Sequence, residues 1–245
     1  MIDLHCHILP GIDDGAIDVD DSVAMARQGA ADGIELICAT PHIRHDHDVR
    51  IGELRSRVNE VNAELERVGV TARVATGGEV AETVLDRVDD DELRAVSLGG
   101  GGRWILLEPA PGPLSDTLAV AVEHLRERGF RSLIAHPERH LTADVDRRVA
   151  ALIDRGVLVQ ATAAYLTAAD TAPTMLELAG RGLIHVLSSD SHSARRGRPL
   201  RISEGIAALR EVEALAPHVK WIAESAPAAI AGGLDVDAPF APRPA

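Results

Sequence analysis

The sequence has little cysteine, few aromatic residues and no long apolar run. Its 245 residues include two cysteines, and phenylalanine, tryptophan and tyrosine together make up 2% of the chain. Two cysteines provide no disulfide framework, and so few aromatic rings exclude a stacking surface for single-stranded nucleic acid. No apolar run reaches the roughly 20 residues of a membrane span, and the first residues lack a basic segment followed by an apolar one. We therefore expect a soluble, cytoplasmic protein that does not insert into a membrane.

Positive charge is also scarce. The chain has 25 Lys and Arg against 38 Asp and Glu, which gives a formal net charge of −13. This balance argues against unspecific binding of nucleic acid or of anionic membranes. Histidine, by contrast, is plentiful, with 11 residues. Because thiolates are nearly absent, any metal site in this chain must consist of imidazole and carboxylate groups.

Apolar runs of strand length recur along the chain, and nearly all of them end on a polar or titratable residue. Segments with helical periodicity separate them, for example Ile51–Val68, which ends at Gly69. Strands that alternate with helices indicate parallel βα units. Seven such units are present, and their strands are predicted at Ile2–His7, Leu36–His42, Val74–Glu79, Trp104–Glu108, Leu133–His136, Val157–Ala161 and His185–Asp190.

The positions of the titratable residues decide between two architectures. An open, doubly wound sheet collects its functional residues at one switch point, whereas a closed barrel builds its site from the C-terminal ends of many strands. Here nearly every predicted strand ends on such a residue. We therefore predict an α/β fold, a distorted (β/α)7 barrel in a single domain over residues 1–234, followed by a loose tail rich in proline and alanine at 235–245.

The first strand carries the clearest metal-binding pattern, His5-Cys6-His7. Residues i and i+2 of a strand share a face, so both imidazoles can reach one ion while Cys6 points the other way. The loop after this strand contains Asp13 and Asp14, either of which could turn back over the barrel mouth. Further imidazoles and carboxylates follow the later strands, at His42, Glu79, Glu108, His136, Asp190 and His192. Buried together, these groups would cost several kcal/mol each without cations to pair them, so the pattern predicts a cluster of metal ions.

These motifs resemble the polymerase and histidinol phosphatase (PHP) superfamily. Within it, the likeness is greatest to the bacterial manganese-dependent tyrosine phosphatases of the CpsB/CapC type, which act in capsule and exopolysaccharide biosynthesis. The resemblance implies a PHP-type barrel with its metal site at the C-terminal ends of the strands. It is carried by four motifs, His5-Cys-His-Ile-Leu-Pro-Gly-Ile-Asp-Asp-Gly-Ala16, Ala39-Thr-Pro-His42, Ala135-His-Pro-Glu-Arg139 and Ser189-Asp-Ser-His192.

The resemblance also implies a site with three metal ions. The first ion would be held by His5, His7, Glu79 and Asp190. The second would share Glu79 and add Glu108 and His136, and the third would use Asp14, His42 and His192. The family suggests Mn²⁺, although ligands of this kind also suit Fe and Zn²⁺.

Two arginines are implied as catalytic residues, because a guanidinium stabilises the charge that develops on a phosphoryl group. The first is Arg139, at the end of the Ala-His-Pro-Glu-Arg motif. The second is Arg198, which precedes a proline as in the family, but the segment is one residue longer here and Arg195 or Arg196 could take its place. In the implied reaction, a metal-bound hydroxide attacks the phosphate.

The resulting hypothesis is a metal-dependent phosphomonoesterase, a protein tyrosine phosphatase whose substrate is a bacterial tyrosine kinase that regulates exopolysaccharide export. One alternative is a phosphatase of small molecules such as histidinol phosphate, because few aromatic side chains are available to flank a tyrosine ring. Another is a metal-binding PHP module without catalysis. His45 and His47 lie outside the matched motifs, and we expect solvent to surround them. The oligomeric state and the group that protonates the leaving oxygen stay open.

Overall fold

Nine short strands and eight helices alternate along the chain in the computed structural model, which describes residues 1–243. The strands are β1 (Ile2–Cys6), β2 (Leu36–Ala39), β3 (His42–Ile43), β4 (Arg73–Ala75), β5 (Glu79–Ala81), β6 (Trp104–Glu108), β7 (Arg131–Ile134), β8 (Leu158–Thr162) and β9 (Val186–Ser188). The helices are α1 (Val19–Ala31), α2 (Leu54–Arg67), α3 (Asp90–Ala95), α4 (Asp116–Glu127), α5 (Val145–Ile153), α6 (Ala172–Gly180), α7 (Ser203–Arg210) and α8 (Ala226–Ala231). Within these residues, no helix is long and apolar enough to cross a membrane.

All strand pairings are parallel, and the strands form two hydrogen-bonded sheets that together curl around a common centre. The order is β1-β2-β4 in the first and β3-β5-β6-β7-β8-β9 in the second. Beyond β9, the backbone N–H of Asp190 donates to the carbonyl of His5 at 2.9 Å, and that of His7 donates to the carbonyl of Ser191 at 2.9 Å. These bonds bring the last strand back beside the first. The predicted α/β class with a parallel sheet is therefore confirmed.

Two of the seven predicted strands are interrupted in the structure. The run Leu36–His42 forms β2 and β3, and the run Val74–Glu79 forms β4 and the first residue of β5. Pro41 interrupts the first run because it has no N–H to donate to the neighbouring strand. In the second run, the chain passes close to Val96, the residue after α3, and a Cβ atom on Gly78 would lie 2.8 Å from its Cβ.

The interruptions do not shift the register of the two runs. Before them, Cys38 of β2 pairs with Ala75 of β4. After them, β3 pairs with β5 in the same register, and His42 lies directly opposite Glu79. The parallel pairing of the two runs therefore places an imidazole beside a carboxylate at the centre of the curled sheet.

The helices follow the amphipathic segments of the sequence within a few residues. Helix α1 begins after Asp18, whose side chain accepts a hydrogen bond from the backbone N–H of Asp21 at 2.8 Å, as expected for an N-cap. The buried face of α2 consists of Leu54, Val58, Val61 and Leu65. Helix α3 was missed by the sequence analysis, although Asp89 and Glu92 form a capping box at its start.

Apolar side chains pack in two layers, one on each side of the strands. On β6, Ile105 and Leu107 belong to the outer layer, which lies between the strands and most of the helices. Trp104 and Leu106 belong to the inner layer, together with Ile230 of α8. Because side chains alternate along a strand, Glu108 follows on the inner face beyond Leu106. The inside of the sheet is thus apolar where β6 begins and polar where it ends.

The segment from residue 235, predicted to be a loose tail, contacts the rest of the fold where the structure describes it. The division of the chain at residue 234 stays a prediction. The carboxylate of Asp235 binds the guanidinium of Arg103 through two hydrogen bonds of 2.9 and 3.0 Å. Further on, the ring of Phe240 stacks on the imidazole of His185 with centroids 5.5 Å apart. Composition could not predict these contacts, because Arg103 and His185 lie just before β6 and β9, far from the segment in the sequence. Residues 244–245 of the predicted tail lie outside the described residues.

Candidate metal centre

The nine side chains that the sequence analysis assigns to metal ions lie close together in the structure. Eight of them form three groups, in which potential ligand atoms lie within 4.8 Å of one another. The groups are His5, His7 and Asp190; His7, Asp14, His42 and His192; and His42, Glu79 and Glu108. The ninth is His136, whose Nε2 lies 2.7 Å from Oε1 of Glu79. His7 and His42 each belong to two groups, so the grouping is more interwoven than the three implied ligand sets.

Glu79 lies in the middle of this cluster and is buried. Its Oε2 atom lies 3.3 Å from Nε2 of His5, 3.4 Å from Nε2 of His7 and 2.9 Å from Nδ1 of His42. Burial raises the pKa of this carboxyl, but the charge of His5 and the other neighbouring histidines outweigh it, so the pKa is well below its ordinary value. Glu79 is therefore a charged carboxylate that several imidazoles surround.

Five buried ligand atoms of the cluster have no hydrogen-bond partner among residues 1–243. They are Nδ1 of His42, Oε2 of Glu79, Oε2 of Glu108, Nδ1 of His136 and Oδ1 of Asp190. Although His42 and Glu79 are only 2.9 Å apart, their orientation does not make a hydrogen bond. A buried polar atom without a partner costs about 1–3 kcal/mol, so this concentration requires another kind of partner. Imidazole and carboxylate donors suit Mn²⁺, Fe and Zn²⁺, and the donor set therefore fits metal ions.

Two residues of the cluster have a strained backbone conformation. Among the described residues, His136 and Asp190 are the only ones other than glycine with a positive φ, at 32° and 47°. Such conformations cost roughly 1–3 kcal/mol each and cluster at functional sites. At Asp190, the hydrogen bond from its N–H to the carbonyl of His5 holds the strained backbone in place. The sequence does not reveal this strain, since neither residue is a glycine.

Arg139 and Arg198 lie at the mouth of the cluster. Nη2 of Arg139 donates to Oδ2 of Asp190 at 2.8 Å, and Nη2 of Arg198 donates to the same oxygen at 2.7 Å. Both arginines line an open cavity of about 270 Å³. Of the two alternatives to Arg198, Arg195 pairs with Asp18 at 3.0 Å, while the side chain of Arg196 is exposed. The structure thus places Arg198, and neither of its neighbours, beside Asp190.

Asp13 and Asp14, which the sequence left as alternatives, have different positions. Oδ2 of Asp13 accepts a hydrogen bond from Nδ1 of His7 at 2.8 Å and one from the backbone N–H of His42 at 3.1 Å. Burial raises the pKa of Asp13, but the hydrogen bond and charge of His7 lower it to about 2. Asp14 is half exposed, and its Oδ1 lies 3.5 Å from Nε2 of both His42 and His192. Asp13 therefore orients histidines, whereas Asp14 faces the cluster.

Two further residues that the sequence analysis missed hold the first strand in place. Oε1 of Gln160 lies 3.0 Å from Nδ1 of His5 and can accept a hydrogen bond from it, which leaves Nε2 of His5 directed toward the cluster. Asp3 is fully buried and accepts hydrogen bonds from the side chain and backbone of Ser189. Burial raises its pKa to about 6. Asp3 thereby ties β1, which carries His5, to the segment that carries Asp190. Asp3 alternates with His5 and His7, which was the only sequence signal for its role. Gln160 lies in β8, which carries no proposed ligand, so no signal in the sequence pointed to it.

The fold and this cluster together define an α/β protein with a curled parallel sheet and a cluster of histidines and carboxylates that fits metal ions. The sequence model of the capsular polysaccharide synthesis family, CpsB/CapC, matches residues 1–217. The chain therefore belongs to the CpsB/CapC family, and the resemblance found in the sequence motifs is confirmed.

Individual members of the family and their structures agree with this assignment. The chain is 30% identical to the tyrosine-protein phosphatase YwqE of Bacillus subtilis over 203 residues, which cover 80% of this chain and 78% of YwqE. It is 25% identical to the putative tyrosine-protein phosphatase CapC of Staphylococcus aureus, over 83% of this chain and 81% of CapC. The structure matches a chain from the crystal structures of YwqE from Bacillus subtilis and CpsB from Streptococcus pneumoniae, which are metal-dependent tyrosine phosphatases. That match has a TM-score of 0.84, 25% identity and full coverage of both chains.

Proposed function

We propose that this protein is a metal-dependent phosphatase that hydrolyses phosphotyrosine in proteins. The observation that carries the proposal is the convergence of Arg139 and Arg198 on one carboxylate of the histidine-rich cluster. A phosphate monoester carries two negative charges, so it needs cations on several sides before a nucleophile can approach. The names of two relatives, the tyrosine-protein phosphatase YwqE and the putative tyrosine-protein phosphatase CapC, support the same reaction.

The proposed metal ligands follow the sets implied by the sequence motifs, and three ions would be bound. Mn²⁺ is the first choice, with Fe or Zn²⁺ as alternatives for the same donors. The residues that would hold them are His5, His7, Asp14, His42, Glu79, Glu108, His136, Asp190 and His192. When bound, such ions supply positive charge for the phosphoryl oxygens and lower the pKa of water.

The chain's own residues contribute binding and orientation. Arg139 and Arg198 are 37% and 26% exposed, so their guanidinium groups can reach a phosphoryl group that enters the cavity. We assign them to its oxygens, where negative charge accumulates in the transition state. Burial and the nearby charge of His7 lower the pKa of His192 to about 4, which keeps this imidazole neutral and able to act as a ligand at neutral pH.

The architecture is proposed to be a distorted (β/α)7 barrel. This count treats β2 with β3, and β4 with β5, as one interrupted strand each, because each pair derives from one apolar run. The bonds between the ends of β9 and β1 would then close the circle. The proposed compartment is the cytoplasm, since Cys6 and Cys38 are both buried free thiols of the kind that reducing compartments preserve.

The proposed substrate is a phosphorylated bacterial tyrosine kinase that controls polysaccharide export. The open cavity favours a protein segment over a small molecule that must be enclosed. A small phosphate ester such as histidinol phosphate is the second candidate, and the lining of the cavity favours it. That lining is polar or charged apart from one glycine, and consists of Asp14, His42, Arg44, Arg139, His192, Gly197 and Arg198.

The experiment that tests the proposal compares two substrates. A phosphotyrosine peptide and histidinol phosphate are offered at equal concentration, each with Mn²⁺ and with a chelator. Release of phosphate from the peptide, dependent on the metal, is the expected result. Preference for histidinol phosphate would support the proposed phosphatase chemistry but show that the substrate is a small molecule. No release of phosphate from either compound would favour a binding module without catalysis.

A further inference from the structure

Arg44 is a third arginine at the mouth of the metal centre, and neither the motifs nor the implied catalytic set includes it. Its Nη1 atom donates a hydrogen bond to Oε1 of Glu108 at 2.9 Å. The side chain is 26% exposed, and it lines the same cavity of about 270 Å³ as Arg139 and Arg198. Arg44 therefore approaches the cavity from Glu108, whereas the other two approach it from Asp190.

The guanidinium of Arg44 is held in a defined orientation by its own loop. Nε donates to Oδ1 of Asp46 at 2.7 Å, and Nη2 lies 3.3 Å from Nε2 of His47. The ring of His47 in turn stacks on that of His42, with centroids 5.1 Å apart and an angle of 18° between the planes. The expectation that solvent surrounds His47 is therefore wrong, because the ring packs between the cluster and Arg44. His45 is exposed, as expected.

Arg44 is bound to a different carboxylate from the other two arginines. Glu108 accepts the hydrogen bond from Arg44 through Oε1, and its Oε2 lies 3.7 Å from Nδ1 of His42. Arg139 and Arg198 both donate to Asp190 instead. A phosphoryl group that entered the cavity would therefore meet guanidinium groups that are hydrogen-bonded to two different carboxylates, Glu108 and Asp190.

We propose that Arg44 is a phosphate-binding residue of the proposed phosphatase, whose guanidinium exchanges Glu108 for a phosphoryl oxygen when substrate binds. This inference rests on the proposed function. A phosphoryl group has three oxygens that share the charge of the transition state. Arg139 and Arg198 converge on one carboxylate oxygen, so the third arginine can serve a different oxygen. A phosphate dianion also attracts the guanidinium more strongly than a carboxylate does, and the planar fork of arginine suits it.

The test compares Arg44→Gln with Arg50→Gln on protein loaded with Mn²⁺. Arg50 is a matched control, since it belongs to the same connecting segment, is 72% exposed and pairs with Glu53. Three quantities are measured for each variant: the metal content, the Kd for inorganic phosphate by calorimetry, and kcat and KM for a phosphotyrosine peptide. We expect Arg44→Gln to keep its metal, to bind phosphate at least ~10-fold more weakly and to lose at least ~10-fold in kcat/KM, on the scale of one preorganised charge. Arg44→Lys should recover part of the loss, and Arg50→Gln should match the unmodified protein.

Two results would overturn the inference. An unchanged Kd for phosphate in Arg44→Gln would mean that the guanidinium does not contact the phosphoryl group. Loss of metal from this variant, with unchanged phosphate affinity of the remaining loaded protein, would mean that Arg44 only positions Glu108. Because the phosphate titration needs no turnover, it also separates this inference from the proposed function, which fails if the unmodified protein hydrolyses neither substrate.

Discussion

Nδ1 of His42 lies 2.9 Å from Oε2 of Glu79, at the point where two interrupted strands pair again. The residues are far apart in the sequence, and each lies just after a break in an apolar run. The pairing of β3 with β5 keeps the register of β2 with β4, so the parallel strands themselves place the two side chains together. Neither of these two atoms has a hydrogen-bond partner among the described residues. A cation bound between them would satisfy both.

Removing the charge of Glu79 should empty the centre. Glu79→Gln keeps the size of the side chain, but the histidines around it lose the carboxylate that they share. We expect metal content and turnover to fall to background while the circular dichroism spectrum stays that of a folded protein. Glu60→Gln, on the exposed face of α2, is the control and should change neither. Full activity in Glu79→Gln would refute the assignment of this residue as a shared ligand.

The role of Asp13 can be separated from that of a ligand. Asp13→Ala removes the hydrogen bond that holds Nδ1 of His7, so the imidazole is free to turn away. Loss of such an orienting carboxylate costs about 10–100-fold in metal affinity. A titration with Mn²⁺ should show this weakening, and Asp20→Ala at the exposed start of α1 should not. Equal affinity in the two variants would contradict the orienting role.

The arginines next to Asp190 should matter for turnover more than for metal binding. We expect Arg139→Ala and Arg198→Ala each to lose at least ~10-fold in kcat, because each removes one preorganised charge from the phosphoryl group. Arg195→Ala removes an arginine that pairs with Asp18 instead, and it should leave kcat within about twofold. Metal analysis accompanies each measurement. The reverse order, with Arg195→Ala as the slow variant, would exchange the roles of Arg195 and Arg198.

The stability of the fold should depend on pH through His185, which is buried on the side of the sheet covered by Phe240. Burial lowers its pKa from 6.5 to about 4. Between these values the unfolded chain binds a proton that the folded protein excludes, so the free energy of unfolding should fall as the pH drops from 6.5 to 4. One pKa unit corresponds to about 1.4 kcal/mol, which makes the total loss about 3 kcal/mol.

The measurement for His185 is urea unfolding in the presence of a chelator at several pH values between 7.5 and 4. Other buried groups also titrate in this range, so the comparison is with His185→Asn. The asparagine can still accept the hydrogen bond that the backbone N–H of Val159 donates to Nδ1 of His185 at 3.1 Å, but it does not titrate. The two curves should diverge below pH 6.5, and parallel curves would show that His185 contributes nothing to the pH dependence.

The sequence by itself determined the class of fold and the composition of the site. Alternating apolar runs and amphipathic segments predict parallel βα units, because few other arrangements of strands and helices bury all of their apolar faces. His5 and His7 could be assigned to one face from the period of a strand alone, and Cys6 on the opposite face belongs to the outer apolar layer. The family motifs then implied the remaining proposed ligands, since those residues follow the strands from which such sites are built.

Only the tertiary structure decided which of these side chains touch and what holds them. Asp13, rather than Asp14, orients His7, and Arg198, rather than Arg195, reaches Asp190. Which of two nearby residues makes the contact depends on how the chain turns between them. The types and the spacing of the residues do not reveal this turn. The same holds for Arg44 and for the packed segment after residue 234, because their partners are brought together by the curl of the sheet. The periodicity of strands and helices can be read from the sequence, whereas contacts between distant segments form only when the sheet curls.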